Sequence, residues 1–139
     1  MIDNNCAYCV EGDLVAKFGI KICELETSKV YLFKEQSHPG RCIVAHKKHV
    51  GDMNELTVEE RAAYFEDVAR VARAIMAAFH PDKVNYGAYG DTGHHLHFHL
   101  CPKYKDEFEW GGVFLMNPDK KYLSDEEYAD MIAKIKANL

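Results

Sequence analysis

The sequence predicts an α+β fold, and three observations carry that expectation. Five short apolar stretches have strand character, one long amphipathic helix separates the third from the fourth, and a short amphipathic helix closes the chain. No internal repeat, linker or low-complexity run breaks the 139 residues, so a single domain, 1–139, with its own core is expected.

At the N-terminus, Cys6-Ala7-Tyr8-Cys9 is a Cys-x-x-Cys knuckle (6–9), tight enough for two thiolates to reach one metal ion but only half a site. Two loose thiols on a frayed terminus is the competing reading, and the βαβ pattern that a redox pair would need does not follow. Residues 18–25 and 29–35 read as strands around the turn Glu26-Thr27-Ser28. In the second strand Val30 and Leu32, then Tyr31 and Phe33, offer apolar groups to both sides. Ser37-His38-Pro39-Gly40 is turn chemistry, where His38 reads as solvated. A third strand covers 41–46, and Lys47-Lys48-His49 leaves it. Cys23, Cys42 and Cys101 stand among apolar residues as small buried hydrophobes.

Thr57-x-x-Glu60 is a capping box that opens the long helix. Phe65, Val68, Ala72, Ile75 and Phe79, with Met76 beside them, make its apolar stripe. Arg61, Glu66, Arg70 and Arg73 fall outside the stripe as a solvated face, with Glu66 and Arg70 at pairing distance, and Pro81 ends the helix. A fourth strand, 84–89, runs into Gly90-Asp91-Thr92-Gly93, a turn whose backbone N–H groups can meet an anion. Residues 105–117 are polar-aromatic and irregular and hold Trp110. Ser124-x-x-Glu127 is a second capping box, opening a helix at about 125–137 whose stripe is Tyr128, Met131, Ile132 and Ile135.

Between these elements stands His94-His95-Leu96-His97-Phe98-His99-Leu100-Cys101. Read as a strand, its period of two sets His95, His97 and His99 on one face and Leu96, Phe98 and Leu100 on the other. A solvent-exposed polar face is one explanation. The others are a nucleophilic or acid–base site, because imidazole exchanges protons near neutral pH, and a metal site.

Composition narrows the partners. A net charge of −5 argues against wrapping polymeric nucleic acid, although a local pocket for one small phosphate stays open. No apolar run approaches a membrane span, and Met1-Ile2-Asp3-Asn4-Asn5 lacks a charged-then-apolar leader pattern. A cytoplasmic protein is expected. Five cysteines, an odd number, then favour thiols or metal ligands over a disulfide framework.

His95-Leu96-His97-Phe98-His99-Leu100-Cys101 resembles the signature of the histidine triad (HIT) superfamily, His-φ-His-φ-His-φ-φ with φ apolar, at all seven positions. Gly40 to Val44 with Lys47-Lys48-His49 is similar to the family strand that ends in Lys-x-His. Asn85-x-Gly87 and Pro102-Lys103-Tyr104 resemble it further, so most of residues 6–110 is covered. The resemblance implies a HIT-like antiparallel sheet of about five strands and a homodimer, with Trp110 near the partner's site. It implies nucleotide hydrolase or transferase chemistry at an α-phosphate, on a dinucleoside polyphosphate or a nucleoside phosphoramidate. His97 would be the nucleophile that forms a nucleotidyl-histidine, and His99 would contact the phosphate and scissile oxygen. Asn85, Thr92 and Gly93 would lie around the phosphates. Cys6, Cys9, His49 and His95 would hold a structural zinc, with no catalytic metal or organic cofactor.

Imidazole suits that role, since its neutral form attacks phosphorus near pH 7 and, once protonated, can leave again. The sequence departs from the pattern at Arg41, where many members carry histidine, and at Asp91-Thr92, where many carry Gln-Ser/Thr. The turn between Gly87 and His95 is one residue shorter than in many relatives, and Asp91 is expected to turn away from phosphate or to orient a neighbour. Two other functions compete: a mononuclear metalloenzyme built on His-x-His and a distant histidine, and a non-catalytic nucleotide-binding module.

Overall fold

Alternation along the strands decides what each face of the sheet covers. In the computed structural model, which describes residues 3–139, five antiparallel strands lie in the order β1-β2-β3-β5-β4. Met1 and Ile2, part of the stretch considered for a leader, lie outside the described residues. Two single-turn helices, α1 (Ala7–Val10) and α2 (Asp13–Ala16), precede β1 (Gly19–Glu24), β2 (Ser28–Phe33) and β3 (Cys42–His46). Helix α3 (Val58–Phe79) then crosses one face to β4 (Lys83–Gly87), and β5 (His97–Lys103) returns between β3 and β4. Helix α4 (Asp125–Ala137) packs beside α3.

Val30, Leu32, Val44, Leu96, Phe98 and Leu100 share the larger core with α3 and α4. Tyr31, Phe33, Ile43 and Ala45 form a second cluster on the opposite face with Tyr8 and Val15. Both faces of β2 and β3 are therefore covered, which explains their nearly unbroken apolar sequence. No described helix is long and apolar enough to cross a membrane.

Strand β5 starts two residues later than 95–101 and keeps Pro102 and Lys103. Before it, the Leu96 N–H donates to the Val50 carbonyl and the Leu96 carbonyl accepts from His46 N–H, bonds that straddle the bend after β3. At the far end β3 pairs only as far as Leu100. Pro102 thus lies where β5 has lost that neighbour and needs no donor toward it.

Both helical capping boxes are formed. Thr57 Oγ1 accepts from Glu60 N–H and Ser124 Oγ from Glu127 N–H, with each glutamate returning the bond. The buried face of α3 is rolled from the expected stripe: Tyr64, Val71 and Ala74 are buried with Val68 and Ile75, while Phe65 and Met76 are 38% and 41% exposed. Two polar contacts set that roll. The Tyr64 hydroxyl donates to the Val44 carbonyl at 2.7 Å. Asp67 Oδ2 accepts from Thr27 N–H at 2.9 Å and from the Thr27 and Ser28 hydroxyls at 2.8 Å each. On the outer face Glu66 pairs with Arg73, two turns away, at 2.8 Å and not with Arg70.

Asp67 is buried, and its loss strands three donors at the β1–β2 turn. Asp67→Ala should lower the unfolding free energy in urea by about 2–3 kcal/mol, with Asp67→Asn milder because one acceptor oxygen remains. An Ala variant within about 0.5 kcal/mol of the parent would show that this cluster does not hold the helix to the turn.

Candidate active site and metal cluster

The three histidines of the triad face away from the α3 core and are all buried. Each has one ring nitrogen engaged by a group of fixed hydrogen-bonding sense, so chemistry assigns all three tautomers. His95 Nε2 lies 2.6 Å from the His46 carbonyl, which can only accept, so Nε2 carries the proton and Nδ1 keeps its lone pair. His97 Nδ1 donates to the His95 carbonyl at 2.7 Å, which leaves Nε2 unprotonated. His99 Nδ1 lies 3.0 Å from Arg41 Nη2, and a guanidinium can only donate, so the His99 proton sits on Nε2. Burial, opposed by the His95 carbonyl, keeps the His97 imidazole below its ordinary range and hence neutral.

The free Nδ1 of His95 points into a cluster with Cys6, Cys9 and His49, whose ligand atoms all lie within 4.8 Å of one another. Cys6 Sγ is 3.3 Å from His95 Nδ1, Cys9 Sγ is 3.3 Å from His49 Nδ1, and the two Nδ1 atoms are 3.0 Å apart. Tetrahedral zinc, with bonds of about 2.0 Å to nitrogen and about 2.3 Å to sulfur, sets ligand atoms about 3.3–3.8 Å apart. The donor set fits such an ion, and the separations, from 3.0 Å to within 4.8 Å, bracket that spacing. The His95 Nε2–H bond to a backbone carbonyl is the outer contact that orients a ligating imidazole. Helix α1 brings Cys6 and Cys9 there, spanning the knuckle with one turn.

His97 and His99 line a cavity of about 870 Å³. Tyr8, Phe18, Phe33 and Ile43 form an apolar wall, and Thr92, Gly93 and His94 come from the turn before the triad. Gly93 closes directly on His97: a Cβ added there would stand 3.6 Å from His97 Cε1. Asp91, expected to turn away, is exposed and lines the cavity. Asn85 sits on β4 opposite Cys101 and does not contribute to the lining.

Val113, Phe114, Met116 and Asn117 supply a further wall from the irregular segment after β5. Arg41, fully buried, holds that segment by donating to the Leu115 carbonyl at 3.1 Å and the Met116 carbonyl at 2.8 Å. Its guanidinium lies between the Phe33 and Phe114 rings, 4.2 and 4.9 Å from their centroids. Gly87 makes room above His99, because a Cβ there would come within 2.5 Å of Tyr89 and 2.9 Å of Phe114. The expectation of a solvated His38 is overturned. The same segment folds over it, and the buried ring lies 2.7 Å from Glu109 Oε1 and against Phe108. Trp110 is partly exposed and outside the cavity lining.

A family model described as the HIT domain matches residues 19–106. The chain belongs to the HIT family. Among its relatives is the protein hit of Bacillus subtilis, 30% identical over 122 residues, or 83% of this chain and 82% of that protein. The adenosine 5′-monophosphoramidase of Schizosaccharomyces pombe is 28% identical over 116 residues, covering 77% and 80%. A histidine triad protein of Sinorhizobium meliloti 1021 shares the fold with a TM-score of 0.84 at 23% identity, covering 92% and 95%. A zinc-bound histidine triad protein of Mycobacterium smegmatis gives 0.68 at 23% identity, covering 95% and 94%. The HIT fold expected from the triad, a five-stranded antiparallel sheet with a long and a short helix, is thus the fold found.

Arg41 was visible in the HIT pattern only as a departure, and Tyr8 only as a spacer between cysteines. Burial first, then the Arg41 guanidinium and the neighbouring His97 ring, pulls His99 down to about 2. The unfolded chain binds that proton at about pH 6.5. His99 therefore contributes fully above about pH 6.5, and its contribution is lost as pH falls below that value. At about pH 4.5 the loss is on the order of 2–3 kcal/mol. His99→Gln should show a flatter decline of urea stability between these pH values than the parent. Parallel declines would contradict a neutral, desolvated His99.

Proposed function

We propose that this HIT protein is a nucleotide hydrolase or transferase that acts at an α-phosphate through a nucleotidyl intermediate on His97. One observation carries the reading: His97 donates Nδ1–H to the His95 carbonyl, which leaves the Nε2 lone pair free in a cavity large enough for a nucleotide. A base and ribose would lie against Tyr8, Phe18, Phe33 and Ile43, and the phosphate against the triad and the Thr92-Gly93 turn. His97 Nε2 attacks phosphorus, the leaving group departs, and water or another acceptor then displaces the histidine. His99 Nε2–H donates toward the phosphate as charge moves to its oxygens. The substrate is a nucleoside anhydride, such as a dinucleoside polyphosphate, or a phosphoramidate of the kind the fission-yeast relative is named for. A catalytic metal held by His97 and His99 is disfavoured, because a cation there would face the Arg41 guanidinium.

His97→Asn should retain the melting temperature and nucleotide affinity and lose turnover by several orders of magnitude, about 10³-fold or more. Acid quenching of the parent with a radiolabelled nucleotide should trap the adduct on His97. Retention of more than about a tenth of kcat, worth less than about 1.4 kcal/mol, would remove His97 from the nucleophile's role.

The Cys6, Cys9, His49 and His95 cluster holds a structural zinc in this reading, in keeping with its donor set and with the zinc-bound structural relative. When bound, the ion ties the N-terminal turn to the triad and supplies no chemistry at phosphorus. Metal analysis of protein purified without chelators should find about one zinc per chain, and Cys9→Ser should lose the metal and lower Tm. Absence of zinc, or an unchanged Tm, would refute the site.

A further inference from the structure

We propose that Arg41 is a positioning residue that locks His99 as a neutral Nε2–H donor, restricting efficient turnover to substrates whose leaving group departs as a stable anion. The inference rests on the nucleotidyl-His97 reading and names the substrate class within it.

The lock is geometric. Arg41 Nη2 approaches His99 Nδ1 at 3.0 Å, and a guanidinium offers only donors, so a proton on Nδ1 would set N–H against N–H. The arginine cannot move aside. It has no exposed surface, lies between Phe33 and Phe114, and is fixed by the Leu115 and Met116 carbonyls. Those partners are neutral carbonyls, and Glu35 and Glu109 act on the guanidinium only at longer range without bonding to it, so the cation beside His99 opposes a second charge on the ring. Among the described residues the other ionisable group against His99 is His97, whose Nδ1–H is held by the His95 carbonyl, while Phe33 and Phe114 are the remaining aromatic neighbours. Among the described residues no carboxylate bonds to the His99 ring or to Arg41 to relieve the lock.

A neutral Nε2–H can donate a hydrogen bond but cannot deliver its proton without becoming imidazolate. For an anhydride this suffices. His97 Nε2 forms the N–P bond, the bridging P–O bond breaks, and its electron pair leaves with a polyphosphate oxygen that needs no proton. Water then forms a P–O bond as the P–N bond breaks. The electron pair returns to Nε2, and the water's protons go to the product phosphate and solvent. A phosphoramidate differs, because its P–N bond releases an amine only when the nitrogen receives a proton from an acid. His99 locked in this tautomer is not such an acid.

The experiment compares diadenosine triphosphate with adenosine 5′-phosphoramidate on the intact protein and reads the His99 tautomer at pH 7 by ¹⁵N NMR of the imidazoles. The parent should show neutral His99 protonated on Nε2, and kcat/KM should favour the anhydride by about a hundredfold or more, the usual weight of general acid catalysis. Arg41→Met and Arg41→His should both lose the single tautomer. In both, the gap between the two substrates should narrow at least tenfold, whatever happens to absolute rates. A merely structural arginine would lower both rates together and leave their ratio unchanged, which overturns the proposal. So does a parent His99 that is doubly protonated or protonated on Nδ1, and this measurement needs no variant to fold. Equal turnover of both substrates by the parent, with an adduct on His97, overturns this proposal alone. Turnover of neither substrate overturns the nucleotidyl-transfer reading and the leaving-group claim with it.

Discussion

The hydrogen bond from His97 Nδ1 to the His95 carbonyl is the contact on which the site's chemistry depends. Its net contribution to stability is about 1 kcal/mol, as for any buried neutral pair. Its consequence is orientation: the ring can present only Nε2, with a lone pair, to the cavity. The bond exists because residues 95 and 97 point the same way, and they point the same way because Leu96 and Phe98 are buried against α3 on the reverse. A one-residue slip of β5 would exchange the imidazoles for Leu96, Phe98 and Leu100 and strand polar rings in the core. The apolar half of the alternation thus fixes the register that the polar half uses.

The segment after β5 is irregular yet partly buried, so its carbonyls need partners that no sheet supplies. Two buried cations provide them. Arg41 holds the carbonyls of Leu115 and Met116, and Lys103 Nζ holds those of Glu109 and Gly112. Glu109 completes the strap by accepting from Leu115 N–H and facing His38. Both cations lie on or beside the central strands, so the cavity wall is anchored to the backbone that carries the triad. A wall of this kind gains rigidity from polar contacts where a loop of thirteen residues offers few apolar ones.

What was legible in the sequence is what depends on short range. Both capping boxes, the two-sided apolar character of β2 and the alternation around His97 are set by residues within four positions of one another, and each formed as read. The buried stripe of α3 was misplaced because Tyr64 and Asp67 are polar at the tip, and their partners at Val44 and Thr27-Ser28 lie elsewhere in the chain. His38 passed for a solvated turn residue for the same reason, since Glu109 and Phe108 are seventy residues downstream. Only the Cys6-x-x-Cys9 half of the metal cluster had a local spacing signal; joining it to His49 and His95 followed from the family pattern, because those separations are 40 residues and more. Arg41 shows the limit best: its residue type was conspicuous, but its orientation toward His99 is a tertiary fact.

Tyr8 joins the two halves of the site. It stands between the two cysteines of the knuckle, so the turn that brings Cys6 and Cys9 to His49 and His95 also lays its ring against the triad. The ring lies 5.4 Å from His95 and 5.0 Å from His97, centroid to centroid, and is itself buried. An aromatic ring there removes water from one side of His97 and favours its neutral form, the form that the proposed attack on phosphorus requires. Alternate positions along the triad are thereby turned opposite ways by their tautomers: His95, just before β5, offers Nδ1 toward the cluster, and His97, its first residue, offers Nε2 to the cavity. A single carbonyl, that of His95, links them, since it belongs to the residue whose Nδ1 faces the cluster and fixes the ring whose Nε2 faces the cavity.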